Sequence, residues 1–132
     1  MGKLKGKVAI ITGASQGMGE AHAKAFVEAG AKVILTDVND KDGQVLADSL
    51  GENAMFIKQD VRDPAVWKSV VAQGEARFGT INVLVNNAGI IGTIANTVDL
   101  TQTDYQLIID INQLGVYLGM QAVLPSMIKA GG

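Results

Sequence analysis

Short apolar runs alternate along the chain with longer segments in which apolar residues recur at helical spacing. The short runs cover residues 8–11, 33–35, 54–57 and 81–85, and polar residues or glycine follow each of them. Runs of this length that are apolar throughout and rich in β-branched residues are typical of strands buried on both faces. The pattern therefore predicts four buried strands.

The segments between these runs predict helices. Apolar and small residues between positions 18 and 29 keep helical spacing, and Gly30 follows where a C-cap is expected. A second helix, marked by apolar residues between positions 45 and 50, ends at Gly51. A third begins at Asp63-Pro64, because aspartate caps a helix and proline suits its first turn, and it ends at Gly79.

The end of the chain predicts a loop followed by a long helix. Residues 90–98 follow no period, whereas from Thr101 or Thr103 onward apolar residues recur on one side of a helix. These residues are Leu107, Ile108, Ile111, Leu114, Leu118 and Ala122. Gly115 and Gly119 lie in the same helix. Because glycine has no side chain, they permit another element to approach the helix closely.

The alternation of strands and helices predicts the fold class. This spacing is typical of βαβ units, which join parallel strands by right-handed crossovers. The sequence therefore predicts an α/β fold with a parallel sheet. No linker or low-complexity segment divides the chain, so residues 1–132 are expected to form a single domain.

Composition and charge narrow the classes of function. Hydrophobic residues make up 48% and charged residues 18% of the 132 residues, which is typical of a globular domain. The net charge of -2 provides no basic surface for nucleic acid or for an acidic membrane. No apolar run approaches the ~20 residues of a membrane helix, and the first residues do not form a signal peptide. We therefore expect no nucleic-acid or membrane partner.

The absence of cysteine excludes a disulfide framework and a thiolate metal site, and it favours an intracellular, cytoplasmic protein. His22 is the only histidine and has no carboxylate or cysteine arranged beside it, so no metal site is expected. Ser15 has no base at the spacing of a catalytic triad and is not expected to be a nucleophile.

A glycine-rich segment, residues 12–19, lies between the first predicted strand and the first predicted helix. Glycine lets a ligand approach the backbone closely, and the free N–H groups and dipole of a helix N-terminus favour an anion. We therefore expect this segment to bind the phosphates of a nucleotide, with a tight turn that only packs helix against strand as the alternative. Met18-Gly19-Glu20 lacks the lysine of a P-loop, and the spacing G-x-x-x-G-x-G differs from the common G-x-G-x-x-G.

Asp37 ends the second predicted strand, 18 residues after Gly19. This is close to the ~20 residues expected for the acid that binds the adenosine ribose of a dinucleotide. Its carboxylate accepts hydrogen bonds from both ribose hydroxyls and repels a 2′-phosphate, and its immediate neighbours bring no positive charge. The position therefore favours NAD over NADP. A helix-capping or merely solvated aspartate is the alternative.

Four segments together resemble the short-chain dehydrogenase/reductase family in its NAD-preferring branch. They are residues 12–19, Asp60-Val61, Asn86-Asn87-Ala88-Gly89 and Asp110-Ile111-Asn112, which keep the order and spacing of the family across nearly the whole chain. The chain looks most similar to bacterial hydroxysteroid and secondary-alcohol dehydrogenases. The resemblance implies a Rossmann-type sheet in the order 3-2-1-4, flanked by helices and ending before the later strands of the family fold.

The resemblance also implies which residues bind the cofactor. The pyrophosphate would be bound by Gly13, Ser15, Gln16, Gly17, Met18 and Gly19. The adenosine ribose would be bound by Asp37, the adenine by Asp60 and Val61, and the nicotinamide-side ribose by Asn86, Ala88 and Gly89, which would also stabilise the centre of the sheet. Asn112 matches the family's catalytic asparagine, which positions a water in a proton relay. Structural roles in turns and loops remain the alternative for Asn86, Asp60 and Asn112.

The residues that carry out the family's chemistry are not present. The family transfers hydride with a serine and a Tyr-x-x-x-Lys motif, whereas here Tyr105 is followed four residues later by Ile109, and Tyr117 by Gln121. The chain therefore resembles the amino-terminal half of a dehydrogenase, with the cofactor half-site and one member of the catalytic tetrad. By itself it is expected to be inactive.

Three functions remain open on the sequence. The first is an NAD(H)-dependent oxidoreductase that interconverts a secondary alcohol, such as a hydroxysteroid, and a ketone. The second is a non-catalytic nucleotide-binding module. The third is self-association, because the fourth strand would leave a bare apolar edge and the last helix is apolar over a wide arc. The resemblance implies that this helix forms a subunit interface, so a homo-oligomer is expected.

Overall fold

Four parallel strands form the sheet of the computed structural model, which describes residues 2–132. In chain order they are β1 (Val8–Thr12), β2 (Lys32–Asp37), β3 (Ala54–Lys58) and β4 (Val83–Val85). They lie side by side in the order β3-β2-β1-β4, and every pair is parallel. The predicted fold class and strand order are therefore confirmed.

Five α-helices cover this sheet. They are α1 (Gly17–Glu28), α2 (Asp40–Leu50), α3 (Pro64–Phe78), α4 (Gln102–Ile109) and α5 (Gly115–Ala130). Single 3₁₀ turns lie at Gly51–Asn53 and Thr97–Asp99, and a π-helical turn at Asp110–Leu114 joins α4 to α5. Asp63 caps α3 as predicted, because its side chain accepts hydrogen bonds from two N–H groups of the first turn.

β1 and the centre of β2 are buried on both faces, whereas the edge strands β3 and β4 are mostly half-buried, so the prediction of four buried strands holds in full only at the centre of the sheet. Alternate strand residues point to opposite layers. The layer that includes α3 and α5 contains Val8, Ile10, Ile34, Val61, Trp67, Val70, Ile81, Leu118 and Val123. The layer that includes α1 and α2 contains Ile11, Ala14, Ala23, Ala31, Val33, Leu35, Leu46, Ala47 and Ala54. The sheet therefore separates two apolar cores and exposes its ends, where the loops lie.

The fourth strand is shorter than predicted because residues 81 and 82 make other hydrogen bonds. Asn82 Oδ1 accepts a hydrogen bond from the Val8 N–H at 2.9 Å, and the Ile81 N–H donates to Ser126 Oγ at 2.9 Å. Side chains thus replace part of the backbone ladder at this end of the strand. Ile81 is buried although it is not paired in the sheet, and for this reason the apolar pattern of the sequence extends beyond the strand itself.

The last helix is interrupted, although the sequence predicts one continuous helix. A capping box starts α4, with Thr101 Oγ1 accepting from the Asp104 N–H, so the predicted start is confirmed. The π-helical turn then inserts one extra residue and rotates the faces that follow relative to α4. As a result Leu118 is buried whereas Leu107 and Leu114 are 38% and 39% exposed, so the predicted single apolar side is wrong.

Gly115 and Gly119 face into the chain. A Cβ at Gly115 would lie 2.7 Å from Val61 Cγ2, and a Cβ at Gly119 would lie 2.8 Å from Trp67 Cζ2. The close approach that the sequence predicts is therefore an internal contact of α5 with α3 and with the loop before it.

Residues 102–130 form a helical stretch that is long and apolar enough to cross a membrane, with a mean hydropathy of 1.4 over an 18-residue window. Polar residues interrupt this stretch, so the sequence contains no uninterrupted apolar run of that length. A single stretch judged by length and composition is weak evidence for a membrane span. Only 17% of that 18-residue window is buried within the chain, so much of its apolar surface is exposed.

Ser126→Ala is expected to lower the free energy of unfolding by about 1–3 kcal/mol, the cost of leaving a buried donor without its acceptor. Ser126 is 3% exposed, and its Oγ accepts from Ile81 and donates to Glu75 Oε1 at 2.6 Å. Urea unfolding followed by circular dichroism measures the change. Ser69→Ala removes an exposed hydroxyl from α3 and is expected to cost less than ~0.5 kcal/mol. Equal losses in the two variants would contradict the prediction.

Candidate functional site

A cleft of about 380 Å³ lies where the carboxyl ends of the strands meet the loop after β4. In α/β folds this edge, at the point where the strand order reverses, is where ligands bind. The residues that line it are Gly13, Gln16, Gly17, Thr36, Asp37, Val38, Gln59, Asp60, Val61, Asn87, Ala88, Gly89, Ile90 and Ile111. Most of the residues predicted to bind a cofactor are thus brought together here.

The glycine loop turns the chain from β1 into α1, and two of its glycines, Gly13 and Gly19, leave no room for a Cβ. Gly13 and Gly17 have φ angles of +61° and +58°, which glycine adopts without strain. A Cβ at Gly19 would overlap the Gly13 carbonyl oxygen and would lie 2.8 Å from Ala14 Cα. The strand end and the helix start therefore pack backbone against backbone.

The N-terminus of α1 has no side-chain cap. Gln16 occupies the N-cap position and makes no capping hydrogen bond, so the first N–H groups of the helix remain available next to the cleft. The helix dipole favours an anion at this point. Glu20 in the first turn pairs with Lys24, so its charge is offset within the helix. Met18 extends outward, with its side chain 70% exposed.

The Asp37 carboxylate is held in place by two backbone N–H groups. The Ser15 N–H donates to Oδ2 and the Asn39 N–H donates to Oδ1, both at 3.1 Å. Asn39, not Asp37, is the N-cap of α2. Asp37 is therefore neither a helix cap nor a freely rotating surface carboxylate, and it joins the end of β2 to the glycine loop.

Three buried polar side chains lie along this edge of the sheet. Ser15, Thr36 and Gln59 are 6%, 1% and 2% exposed. The Ser15 and Thr36 hydroxyls and both amide atoms of Gln59 have no hydrogen-bond partner among residues 2–132. Because buried polar groups are normally paired, this edge suits a polar ligand. Together with the uncapped helix and the Asp37 carboxylate, these groups fit the phosphates and ribose of a dinucleotide.

Asp60 and Val61 follow β3 and form another part of the cleft wall. The Arg62 side chain folds back onto Asp60, with Nη2 at 2.6 Å from Oδ2. This hydrogen bond holds the pKa of the Asp60 carboxyl below its usual value. Trp67 Nε1 donates to the Val61 carbonyl at 2.9 Å, which fixes the loop to the core.

Asn87 joins the end of β4 to the end of β1. Its Nδ2 donates to the Thr12 carbonyl at 3.0 Å, and Thr12 Oγ1 accepts from the N–H groups of Asn87 and Ala88 at 3.0 and 2.9 Å. Asn86 lies toward α5, with its Oδ1 2.9 Å from the position of a Cβ at Gly119. The bonds that stabilise the centre of the sheet are thus made by Asn87.

Asn112 lies in the π-helical turn and binds the loop after β4. Its Oδ1 accepts from the Ile90 N–H at 2.8 Å, and its Nδ2 donates to the Ile90 carbonyl at 2.7 Å. Both ends of the amide are therefore used on one residue of the backbone. The side chain does not line the cleft, but it fixes Gly89 and Ile90, which do.

Five of the predicted residues do not line the cleft. These are Ser15, Met18, Gly19, Asn86 and Asn112. Conversely, sequence reasoning missed six residues that line the cleft, namely Thr36, Val38, Gln59, Asn87, Ile90 and Ile111. Each lies beside a residue that was singled out, at a strand end or in a motif. Their place at or beside the strand ends was therefore the sequence signal that could have identified these six residues as part of the site.

The side chains that line the cleft suit the binding of a ligand. Tyr105 and Tyr117 are 61% and 54% exposed, and neither lines the cleft. Within the described residues, no group of three or more histidine, aspartate or glutamate side chains is placed to hold a metal ion. The cleft thus presents amides, carboxylates and hydroxyls, and no tyrosine that would serve as an acid.

Comparison with known proteins gives concordant results. A profile of the family described as short chain dehydrogenase matches residues 7–132. The chain is 44% identical over 132 residues to the 3-alpha-(or 20-beta)-hydroxysteroid dehydrogenase of Mycobacterium tuberculosis, covering 98% of this chain and 50% of that protein. It is 40% identical over 131 residues to the 3-beta-hydroxysteroid dehydrogenase of Comamonas testosteroni, covering 98% and 51%.

A solved structure gives the same result for the fold. The 3-ketoacyl-(acyl-carrier-protein) reductase from Brucella melitensis, complexed with NADH, matches with a TM-score of 0.94 at 34% identity, covering 98% of this chain and 53% of that one. The chain spans about half the length of the curated relatives it matches. The resemblance in the four motifs is confirmed by the profile match over nearly the whole sequence, and the chain belongs to the short-chain dehydrogenase family.

Proposed function

We propose that this chain is the NAD-binding part of an oxidoreductase that interconverts a secondary alcohol and a ketone. The observation that carries the proposal is the Asp37 carboxylate, fixed by the Ser15 and Asn39 amides beside the uncapped N-terminus of α1. Phosphates suit the helix N-terminus, and ribose hydroxyls suit the carboxylate. Both groups lie at one edge of the sheet, where dinucleotides bind in folds of this class.

Charge supports NAD rather than NADP as the cofactor. A 2′-phosphate beside Asp37 would meet a like charge. None of the described residues that line the cleft is basic, so nothing there would offset the repulsion. The NADH bound to the Brucella reductase is consistent with the same cofactor class.

In such a reaction the nicotinamide group of the cofactor supplies or accepts the hydride. The residues of this chain bind and orient the cofactor. In this proposal residues 13–19 hold the pyrophosphate, Asp60 and Val61 hold the adenine, and Asn86, Ala88 and Gly89 contact the nicotinamide-side ribose. The two hydroxysteroid dehydrogenases among the relatives support a secondary alcohol as substrate. Because the sequence has no Tyr-x-x-x-Lys motif, we propose that the chain does not turn over substrate by itself.

Asn112 contributes in this proposal through the loop after β4. Its amide fixes Ile90, and with it Gly89, at the cleft. The loop must keep its position for the nicotinamide half of the cofactor to be bound in one orientation. The water relay implied by the family resemblance would act in addition to this role of the side chain.

A second candidate function is self-association through α5. Its outward face carries Tyr117, Met120, Leu124 and Ile128, which are 54%, 47%, 50% and 76% exposed and recur at helical spacing. A contiguous apolar face on an exposed helix is typical of an interaction surface. This feature supports a homo-oligomer. Self-association through this face of α5 is compatible with cofactor binding, because the proposed cofactor site lies at the strand ends.

Asp37→Ala is expected to weaken NADH binding by about tenfold or more, because hydrogen bonds to a charged group are lost, and to weaken NADPH binding less. The ratio of the two affinities is the readout, because loss of the bond to Ser15 also loosens the loop for both cofactors. Fluorescence titration of the chain with NADH and NADPH measures it.

Asp48→Ala serves as the matched control for Asp37→Ala, since it removes the same charge from an exposed position on α2. It is expected to leave both affinities unchanged. An unaltered ratio of NADH to NADPH affinity in Asp37→Ala would contradict the ribose assignment. Failure of the unmodified chain to bind either cofactor would contradict the proposed function.

Asn112→Ala is expected to increase hydrogen exchange at the Ile90 amide by about fivefold or more, since a net hydrogen bond is worth about 1 kcal/mol. Exchange followed by NMR or mass spectrometry measures the effect. Gln113→Ala is the control, because Gln113 is the exposed neighbour in the same π-helical turn. If Ile90 exchanged at the same rate in both variants, Asn112 would not hold the loop.

Self-association is expected to give a mass above that of one chain in light scattering at micromolar concentration. The double variant Leu124→Glu with Ile128→Glu is expected to be a monomer, because charge is placed on the apolar face of α5. Lys129→Glu changes the next position and is expected to leave the mass unchanged. A monodisperse monomer for the unmodified chain would refute this second candidate.

A further inference from the structure

Arg62 folds back along the chain and binds the carboxylate of Asp60 with both its backbone and its side chain. The Arg62 N–H and Nε each lie 3.0 Å from Oδ1, and Nη2 lies 2.6 Å from Oδ2. Nε is also 3.1 Å from Oδ2, so the guanidinium faces both oxygens. Three donor groups of one residue thus converge on a carboxylate that lines the cleft.

The backbone around Asp60 is fixed as well. The Asp63 N–H donates to the Asp60 carbonyl at 3.2 Å, and Asp63 in turn caps α3. On the other side, Trp67 Nε1 donates to the Val61 carbonyl from within the core. The backbone sets the position of the carboxylate, and Arg62 sets its orientation.

Arg62 also favours the ionised form of Asp60. The guanidinium hydrogen bond lowers the pKa of the Asp60 carboxyl, and burial opposes this change only in part. Asp60 and, more weakly, Asp110 raise the pKa of Arg62, so the guanidinium stays charged. An ionised carboxylate accepts hydrogen bonds and donates none.

We propose that Arg62 is a positioning residue for base recognition: by holding the Asp60 carboxylate in one orientation at the cleft, it makes the site select a 6-aminopurine dinucleotide over its 6-oxopurine counterpart. This inference rests on the proposed function, because it concerns the adenine half of the same cofactor. It adds to that function a residue that sets which base is accepted.

The two bases differ in what they present to Asp60. The 6-amino group of adenine is a donor, whereas the 6-oxo group of hypoxanthine is an acceptor that a carboxylate repels. A carboxylate has about four acceptor sites, and the three donor groups of Arg62, with Nε shared between the two oxygens, use about three of them, which leaves about one for the base. Without Arg62 the Asp60 carboxylate is free to rotate, so its acceptor oxygens are no longer held where the 6-amino group of the base would lie. Selectivity between the bases should then fall.

The test is a binding titration of the whole chain with NADH and with reduced nicotinamide hypoxanthine dinucleotide, which differs at the 6-position of the base. For the unmodified chain we expect NADH to bind about tenfold more tightly or better, the effect of one hydrogen bond to a charged group. In Arg62→Gln the ratio is expected to fall below about threefold, since the acceptor is no longer held. Arg62→Lys keeps the charge without the planar fork and is expected to retain part of the selectivity.

Two further variants bracket the result. Arg77→Gln is the matched control, because Arg77 is the other arginine of the sequence and lies over the Phe78 ring near the end of α3. It removes the same charge and is expected to leave the ratio unchanged. Asp60→Asn is expected to bring the ratio close to one, because an amide presents either a donor or an acceptor to the base.

A second measurement needs no cofactor. Carbon-13 NMR titration of the Asp60 carboxyl is expected to give a higher pKa in Arg62→Gln, so that the group becomes protonated earlier as the pH falls. The other charged groups around this pair are Asp110, which acts on Arg62, and Asp37, which lines the same cleft. Neither replaces the lost positive charge.

The outcomes separate the two proposals. If the unmodified chain binds neither dinucleotide, the proposed cofactor function fails and this inference fails with it. If NADH binds but Arg62→Gln leaves the ratio of affinities unchanged, only the role of Arg62 is overturned. Equal weakening of both dinucleotides has the same meaning, because it is what a merely structural residue would produce.

Discussion

The hydrogen bonds between Thr12 and the Asn87 segment are the contact on which the rest of the site depends. β1 and β4 end side by side, and from there the chain enters the glycine loop on one side and the loop after β4 on the other. Thr12 Oγ1 accepts from the N–H groups of Asn87 and Ala88, and Asn87 Nδ2 donates to the Thr12 and Gly13 carbonyls. The two walls of the cleft are therefore joined at their base before they diverge.

From this point the edge of the sheet is stabilised by backbone groups beyond the strands themselves. The Ala14 N–H donates to the Thr36 carbonyl at 3.0 Å, and the Gln59 N–H donates to the Asp37 carbonyl at 2.9 Å. The Ser15 N–H then binds the Asp37 side chain. Because backbone donors hold the carboxylate from behind, its remaining acceptor sites are available to a ligand. The rigidity of the site is thus a consequence of how three neighbouring strands end.

The strands, the glycine loop and the position of Asp37 could be predicted because their signals are local. Uninterrupted apolar runs predict buried strands, and the glycines of residues 12–19 and the Asp63 cap act within a few residues of where they occur. The contacts that were missed join distant parts of the chain. Asn87 and Thr12 are 75 residues apart, and Asn112 reaches Ile90 across 22 residues, so no periodicity reports either bond. The strand order and the site roles came from the family resemblance rather than from the pattern.

Arg62 is a different case, because its contact with Asp60 is local and still was not predicted. An aspartate that accepts from the N–H two residues later is a common turn, and the arginine at that position brings a second, charged donor set. The motif was interpreted through its first two residues only. Reading an Asp-x-Arg segment at a strand end as one hydrogen-bonded unit would have identified the pair.

The last helix combines two faces with different requirements. On the inner face Gly115 and Gly119 lie so close to Val61 and Trp67 that a methyl group would not fit, so the helix is packed against α3 along one side. On the outer face Leu124 and the apolar residues around it are exposed. Hydropathy alone does not distinguish a helix surrounded by lipid from one covered on a single side, since both are apolar in composition. The internal contact shows that one side of α5 is already covered by α3 and the loop before it, so only the outer face remains exposed.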